Sequence, residues 1–309
     1  MDENNKIVPT DIAYTSCILM NNIEQLKKKY AFLSSGNIGY SVLGKPIPYI
    51  RLGTGSKEVM YGASFHANEW ITSVVLMKFV EDFCKEYEKN GFLYGYNVRE
   101  IFNSTSIYIV PMVNPDGVDL VTGVIKQNTG IYNQFKDISL QYPNIPFPNG
   151  WKANFNGVDL NLQFPAEWNR AREIKYSQGF NKPAPRDFVG YGPLIEPEAL
   201  AIYNFTLIHD FYLILAYHSQ GEVIYWQFLN YNPPRSREIG ERLSQASGYS
   251  LEETPYDSSF AGYKDWFIQD YNRPGYTIEV GLGENPLPIS QFSQIYSDNI
   301  GILILSAVL

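Results

Sequence analysis

What this chain has little of narrows its class before any motif is read. Two cysteines, Cys17 and Cys84, are the whole complement in 309 residues. That excludes a disulfide framework, which a chain of this length does not need in order to fold, and both read as reduced, small apolar side chains. Basic residues are in deficit: 24 Lys and Arg stand against 32 Asp and Glu, for a formal charge of -8. The positive footprint of a nucleic-acid binder or of a protein held on an anionic membrane is therefore missing. Long hydrophobic runs are missing too. The longest candidate, Ala199 to Tyr217, is interrupted by Asn204, His209 and Asp210, whereas a bilayer span needs ~20 apolar residues. The opening, MDENNKIVPTDIAYTSC, carries acidic and amide residues where a secretory leader would have a basic stretch and an apolar run, so a cytoplasmic chain is expected. With no repeat, low-complexity tract or linker, a single domain over 1–309 is expected, with 1–35 as an N-terminal arm and helix.

What is present is core-forming material. Forty-five per cent of residues are hydrophobic, including 24 Tyr and 18 Phe, which argues for a packed globular domain. Residues 18–32 place Ile23, Leu26 and Tyr30 at helical spacing with lysines between them, predicting an amphipathic surface helix. After Gly36 the runs SVLGKPIPYIRLG and KEVMYGASF read as strands, Trp70 to Tyr87 as a helix, and TSIYIVPMVNPDG as a buried strand ending in a turn. Helices are expected over Glu196–His209 and Ser236–Ser247 and from Ile289 onward, with strands at FYLILAYH and GYTIEVG. Such alternation predicts an α/β fold whose catalytic groups sit at the carboxyl ends of strands. Residues 127–151 and 177–197 lack periodicity and read as long loops walling a binding site.

The three histidines differ in what surrounds them. His66 ends an apolar strand and is followed three positions later by Glu69 at the entry to a helix, a spacing that shares a face. Alone, this pair is a weak pointer to a metal; a helix N-terminal glutamate also answers the macrodipole. A catalytic zinc site wants a third protein ligand, and His218, at the end of FYLILAYH, supplies one if the two strands are neighbours. His209 sits mid-pattern and reads as structural.

Four further segments then point the same way: NPDG at 114–117, GVDLN at 157–161, KDW at 264–266 and TIEVG at 277–281. Together they make the sequence resemble the zinc metallocarboxypeptidases over essentially its whole length. The resemblance implies a carboxypeptidase-like α/β domain, a mixed eight-stranded sheet flanked by helices. It implies one zinc held by His66, Glu69 and His218, Glu279 as general base and acid, and Asp159 as the carboxylate that takes a hydrogen bond from His66. Without that match, Glu279 is an odd carboxylate in an apolar strand.

Departures from the digestive pattern are equally informative. Where an Asn-Arg pair would clamp a substrate's terminal carboxylate, the chain has Asn161-Leu162, so the bidentate guanidinium is absent. The basic residue between the first two ligands is Asn68, and the arginine that polarises the transition state is replaced by Lys152. These features, with HANEW, WKAN, DLNLQFP and HSQGEVIYW, resemble the branch that cleaves γ-D-glutamyl-diaminopimelate bonds in peptidoglycan stem peptides. The chain carries no LysM cell-wall module, which is the expectation for an internal role. Asn161 and Glu222 are candidates for contacts to the substrate's polar groups, Glu222 for the amine of diaminopimelate or else an ordinary surface glutamate. Tyr256 is the candidate mobile tyrosine, with Asp257 and Tyr263 competing. The alternative is a true carboxypeptidase with a clamp rebuilt from Arg170, Arg172, Arg186 or Arg273; a dead peptide-binding module is disfavoured because ligands and base are all present.

Overall fold

The structure, a computed structural model, describes residues 6–309; the first five positions of the expected N-terminal arm lie outside the described residues. Thr15 caps helix α1 (Ser16–Lys29) by accepting the Ile18 N–H, and the helix buries Leu19, Ile23 and Leu26 as their spacing requires. Strands β1 (Ser34–Tyr40), β2 (Pro46–Leu52) and β3 (Lys57–Ala63) follow, then helix α2 (Ile71–Lys89). A short hairpin of β4 (Phe92–Leu93) and β5 (Tyr96–Asn97) leads through α3 (Val98–Ser104) into β6 (Thr105–Val110). Helices α4 (Pro115–Val121), α5 (Gly130–Ser139), α6 (Trp168–Ser177) and α7 (Pro197–Leu207) precede β7 (Phe211–His218) and β8 (Val223–Tyr225). The chain ends with α8 (Ser236–Ser247), β9 (Ser250–Glu252), α9 (Tyr263–Tyr271), β10 (Gly275–Glu279) and α10 (Phe292–Val308).

The expected mixed eight-stranded sheet is present, in the order β1-β2-β6-β3-β7-β10-β8-β9. Its central strands are apolar on both faces. Val59, Tyr61, Ile107, Leu213 and Leu215 enter one core with α2 and α10, while Met60, Tyr108, Val110, Ile214 and Ala216 enter the other with α7 and α9. Alternation of side chains along each strand supplies both cores from one run, which is why these strands read as continuous hydrophobic segments. Strands β3, β7 and β10 are parallel neighbours, so their carboxyl ends open on the same edge of the sheet.

Several expectations need correcting. The first strand is Ser34–Tyr40, and the SVLG stretch is a turn closed by Gly44 at φ 77°. The strand lies at the sheet edge and is half exposed, so no burial pattern marks it. NPDG does not end in a turn: Asn114 caps α4, accepting the Gly117 N–H at 3.0 Å. The 127–151 segment contains α5, and α3, α6 and α9 were not anticipated; α6 buries little beyond Trp168, Ala171 and Lys175. Both cysteines are free, as expected; Cys84 is buried and Cys17 is exposed. No helix among the described residues is long and apolar enough to cross a membrane.

Candidate active site

Register does the first part of the assembly. In the β7–β10 ladder, His218 pairs with Glu279, the last residue of each strand. In the β3–β7 ladder Ala63 pairs with Tyr217, which brings the segment after β3, carrying His66, beside His218. His66 then caps a single 3₁₀ turn, Ala67–Glu69, that presents Glu69.

The NPDG motif locks this segment down. The Asn114 amide donates to the carbonyls of Phe65 (3.3 Å), Lys152 (3.3 Å) and Ala153 (2.9 Å), and the Ala67 N–H donates to the Lys152 carbonyl at 3.0 Å. A Cβ at Gly117 would stand 2.6 Å from the Ala67 Cβ, so only glycine lets α4 approach this turn.

Three ligand atoms, one each from His66, Glu69 and His218, lie within 4.8 Å of one another. His66 Nδ1 is 3.0 Å from Glu69 Oε1 and 3.2 Å from His218 Nδ1, and His218 Nδ1 is 2.9 Å from Glu69 Oε2. His66 Nε2 meets Asp159 Oδ1 at 2.9 Å. With the Nε2 proton given to that carboxylate, Nδ1 keeps its lone pair and faces other acceptors. Acceptors turned on one another in a buried site call for a cation, and edges near 3 Å suit nitrogen and oxygen atoms that share a tetrahedral metal at about 2.0–2.2 Å. The donor set therefore fits zinc.

Charge follows the same geometry. Burial disfavours the His66 imidazolium, but the Glu69 and Asp159 carboxylates outweigh it and raise its pKa to about 9, so a proton and a metal compete for the Nδ1 lone pair. Glu69 is held well below the usual carboxylate range, its burial overcome by His66, Lys152 and His218. Asp159 is likewise lowered by His66, which overcomes its burial, and it accepts the backbone N–H groups of Asn161 and Asp187, both at 3.2 Å. Burial and the neighbouring Glu69 charge push Glu279 up to about 8 despite Lys152 and His66. Lys152 Nζ reaches Glu69 Oε1 at 2.9 Å.

His66, Lys152, Asp159, His218 and Glu279 line a cleft of about 210 Å³ that adjoins a second of about 430 Å³. Lys152, Arg186, Tyr225 and Glu279 belong to the walls of both, so the candidate base stands at a waist between two spaces. Asn161 lines the first cleft, its Oδ1 accepting the Tyr263 N–H at 3.1 Å, with Leu162 beside it. Glu222 lines neither; it occupies a turn at φ 52°, so the amine-binding contact expected of it has no support in the geometry. Tyr256 is exposed, against Phe260 and beneath Arg170, while its neighbours Thr254, Pro255 and Ser258 form the rim.

Sequence reasoning gave no role to Lys175, Asp187, Tyr225 or Thr277, all on the cleft wall, nor to the buried ion pair Lys264–Asp265 at 2.7 Å. The KDW motif marked that pair only as a resemblance. Of the four arginines weighed for a rebuilt clamp, Arg186 alone reaches the cleft; Arg170 and Arg172 lie over aromatic rings and Arg273 pairs with Asp210. His209 stacks on Phe211 and meets Glu58 at 3.1 Å, the structural role expected.

An open parallel-centred sheet with a His-Glu-His cluster at its carboxyl edge defines a metallopeptidase architecture, and the chain matches the zinc carboxypeptidase family, peptidase M14, over residues 19–301. It belongs to that family and is a hydrolase of peptide bonds. It is 45% identical over 291 residues to gamma-D-glutamyl-L-diamino acid endopeptidase 1 of Lysinibacillus sphaericus, covering 94% of this chain and 71% of that protein. It is 40% identical over 292 residues to the uncharacterized protein YqgT of Bacillus subtilis, covering 94% and 76%. Among solved structures, thrombin activatable fibrinolysis inhibitor superposes with a TM-score of 0.77 at 18% identity, covering 99% of this chain and 77% of that one, a likeness of fold.

Proposed function

We propose that this chain is a zinc-dependent endopeptidase that hydrolyses the amide bond between γ-D-glutamate and diaminopimelate in peptidoglycan stem peptides, with one zinc per chain. The observation that carries the reading is the 45% identity, over nearly the whole chain, to a relative named for γ-D-glutamyl-L-diamino acid cleavage. Leu162 on the cleft wall supports it, because the position offers no guanidinium for an ordinary terminal carboxylate.

His66, Glu69 and His218 would hold the metal, with Asp159 fixing the orientation of His66. Bound there, zinc supplies Lewis acidity and lowers the pKa of water to about 7. Glu279 takes the proton of the attacking water and returns it to the leaving amine nitrogen as the carbon–nitrogen bond breaks. Burial and the Glu69 charge raise its carboxyl to about 8, and a bound zinc would draw it back down, toward the range in which a group both accepts and donates a proton near neutrality. The Lys152 ammonium, on the same wall, would stabilise the negative oxygen that develops on the scissile carbonyl.

The test is cleavage position, read by mass spectrometry. L-Ala-γ-D-Glu-diaminopimelate should be cut at the γ-glutamyl bond, and a hippuryl amino acid should release little product. Comparable rates on the two would return the chain to the carboxypeptidase reading, with Arg186 as the clamp.

A further inference from the structure

We infer that Arg186 recognises the free α-carboxylate of the γ-linked glutamyl residue and so favours a γ-glutamyl substrate over a peptide uncharged at that position. The inference rests on the reading above and names the residue that enforces it. Arg186 belongs to a backbone segment tied to the site on both sides. The Pro185 carbonyl accepts the N–H groups of Lys152 (2.8 Å) and Ala153 (3.0 Å), the Phe188 carbonyl accepts the Asp159 N–H (2.8 Å), and the Asp187 N–H donates to the Asp159 carboxylate (3.2 Å). The arginine is therefore carried by a loop hydrogen-bonded to the segments that position Lys152 and the partner of His66.

Its guanidinium is held at one corner only. Nε donates to Asp187 Oδ2 at 2.7 Å, while Nη1 and Nη2 have no hydrogen-bond partner among the described residues. Asp187 is itself shared with Lys175, at 2.7 Å, so one carboxylate answers two cations. Lys152, the other cation at the waist, gives one donor to Glu69 and is assigned above to the scissile carbonyl. The uncommitted Nη1 and Nη2 groups form the fork that a carboxylate accepts in bidentate fashion.

Position decides which carboxylate. Arg186 lines both cavities and shares their common wall with Glu279 and Lys152, the groups that flank the scissile bond. A γ-linked glutamyl residue keeps its α-carboxylate free a few bonds from the scissile carbonyl; an α-linked residue other than an acidic one carries no charge there. A fork at the waist can thus read the charged group that the linkage leaves free, while a peptide uncharged there forgoes that pairing.

The experiment compares kcat/KM for L-Ala-γ-D-Glu-diaminopimelate with that for the same tripeptide bearing D-isoglutamine, in which the α-carboxylate is a neutral amide. The wild type should prefer the acid by about 10- to 100-fold, the range of a charge-assisted hydrogen-bond pair. Arg186→Gln should bring the acid-to-amide ratio close to one, and Arg186→Lys should keep part of it, a point charge without the fork. The lysine variant also guards against a simple folding defect. A wild type that cleaves both substrates equally, or an Arg186→Gln variant that slows both in proportion and keeps the ratio, overturns the inference while leaving the γ-glutamyl reading intact. A wild type that cleaves neither overturns that reading and the inference with it.

Discussion

His218 and Glu279 end adjacent parallel strands and face each other in register. This pairing sets a candidate metal ligand and the candidate base side by side through backbone hydrogen bonds alone, before any side chain is chosen. The site is thus built on rigid elements, with loops supplying the remaining contacts.

The first prediction concerns the metal. Purified protein should contain one zinc per chain, and His66→Ala or His218→Ala should leave it substoichiometric by elemental analysis, with activity lost. Chelation should abolish turnover and lower the melting temperature, since an ion that binds only the folded state stabilises it by about 2.7 kcal/mol at a hundredfold excess over Kd. Full turnover by a metal-free preparation would sink the assignment.

Glu279→Gln should retain zinc and lose about 10²- to 10⁴-fold in kcat, the usual contribution of a positioned acid–base group. The glutamine keeps the shape and cannot accept the proton. A rate near wild type would move the base elsewhere.

Asn114→Ala tests the link between the NPDG motif and the site. The variant loses the α4 cap, worth about 1 kcal/mol, and strips the amide from the carbonyls of Phe65, Lys152 and Ala153. The Lys152 carbonyl keeps the Ala67 N–H and the Ala153 carbonyl keeps the Trp151 indole N–H, so the Phe65 carbonyl is the one stranded; that adds about 1–3 kcal/mol, and denaturant unfolding should show a loss of roughly 2–4 kcal/mol in all, accompanied by weaker zinc retention. A stability within 0.5 kcal/mol of wild type, the usual range for a neutral surface change, would contradict this account.

Stability should also depend on pH through Glu198, buried where it accepts from Val42 N–H and the Asn154 amide. Burial raises its pKa from 4.5 to about 7, against those hydrogen bonds. A carboxyl with a raised folded pKa binds its proton more tightly in the native state, so its contribution favours folding at low pH and declines as pH rises from 4.5 through 7. The full difference is roughly 3 kcal/mol at 1.36 kcal/mol per pH unit. Glu198→Gln should flatten that part of the stability–pH curve measured by denaturant unfolding; an unchanged slope would assign it to other groups.

The sequence by itself determined the parts whose signal is local. The runs that became β3, β7 and β10 are marked by continuous apolar residues, α2 and α8 by helical spacing, and the metal-type residues by their position at strand ends. His66, Glu69, His218, Asp159 and Glu279 were all legible in this way or through family motifs. Tertiary structure decided what depends on distant segments meeting. The edge strand Ser34–Tyr40 lacks a burial pattern because only one neighbour covers it. Tyr225 and Thr277 reach the cleft through strand pairing. Arg186 and Asp187 sit in an aperiodic Pro-rich loop whose placement comes from backbone hydrogen bonds to Lys152 and Asp159. Backbone groups are the same in every residue, so a loop fixed by them leaves no side-chain pattern to read.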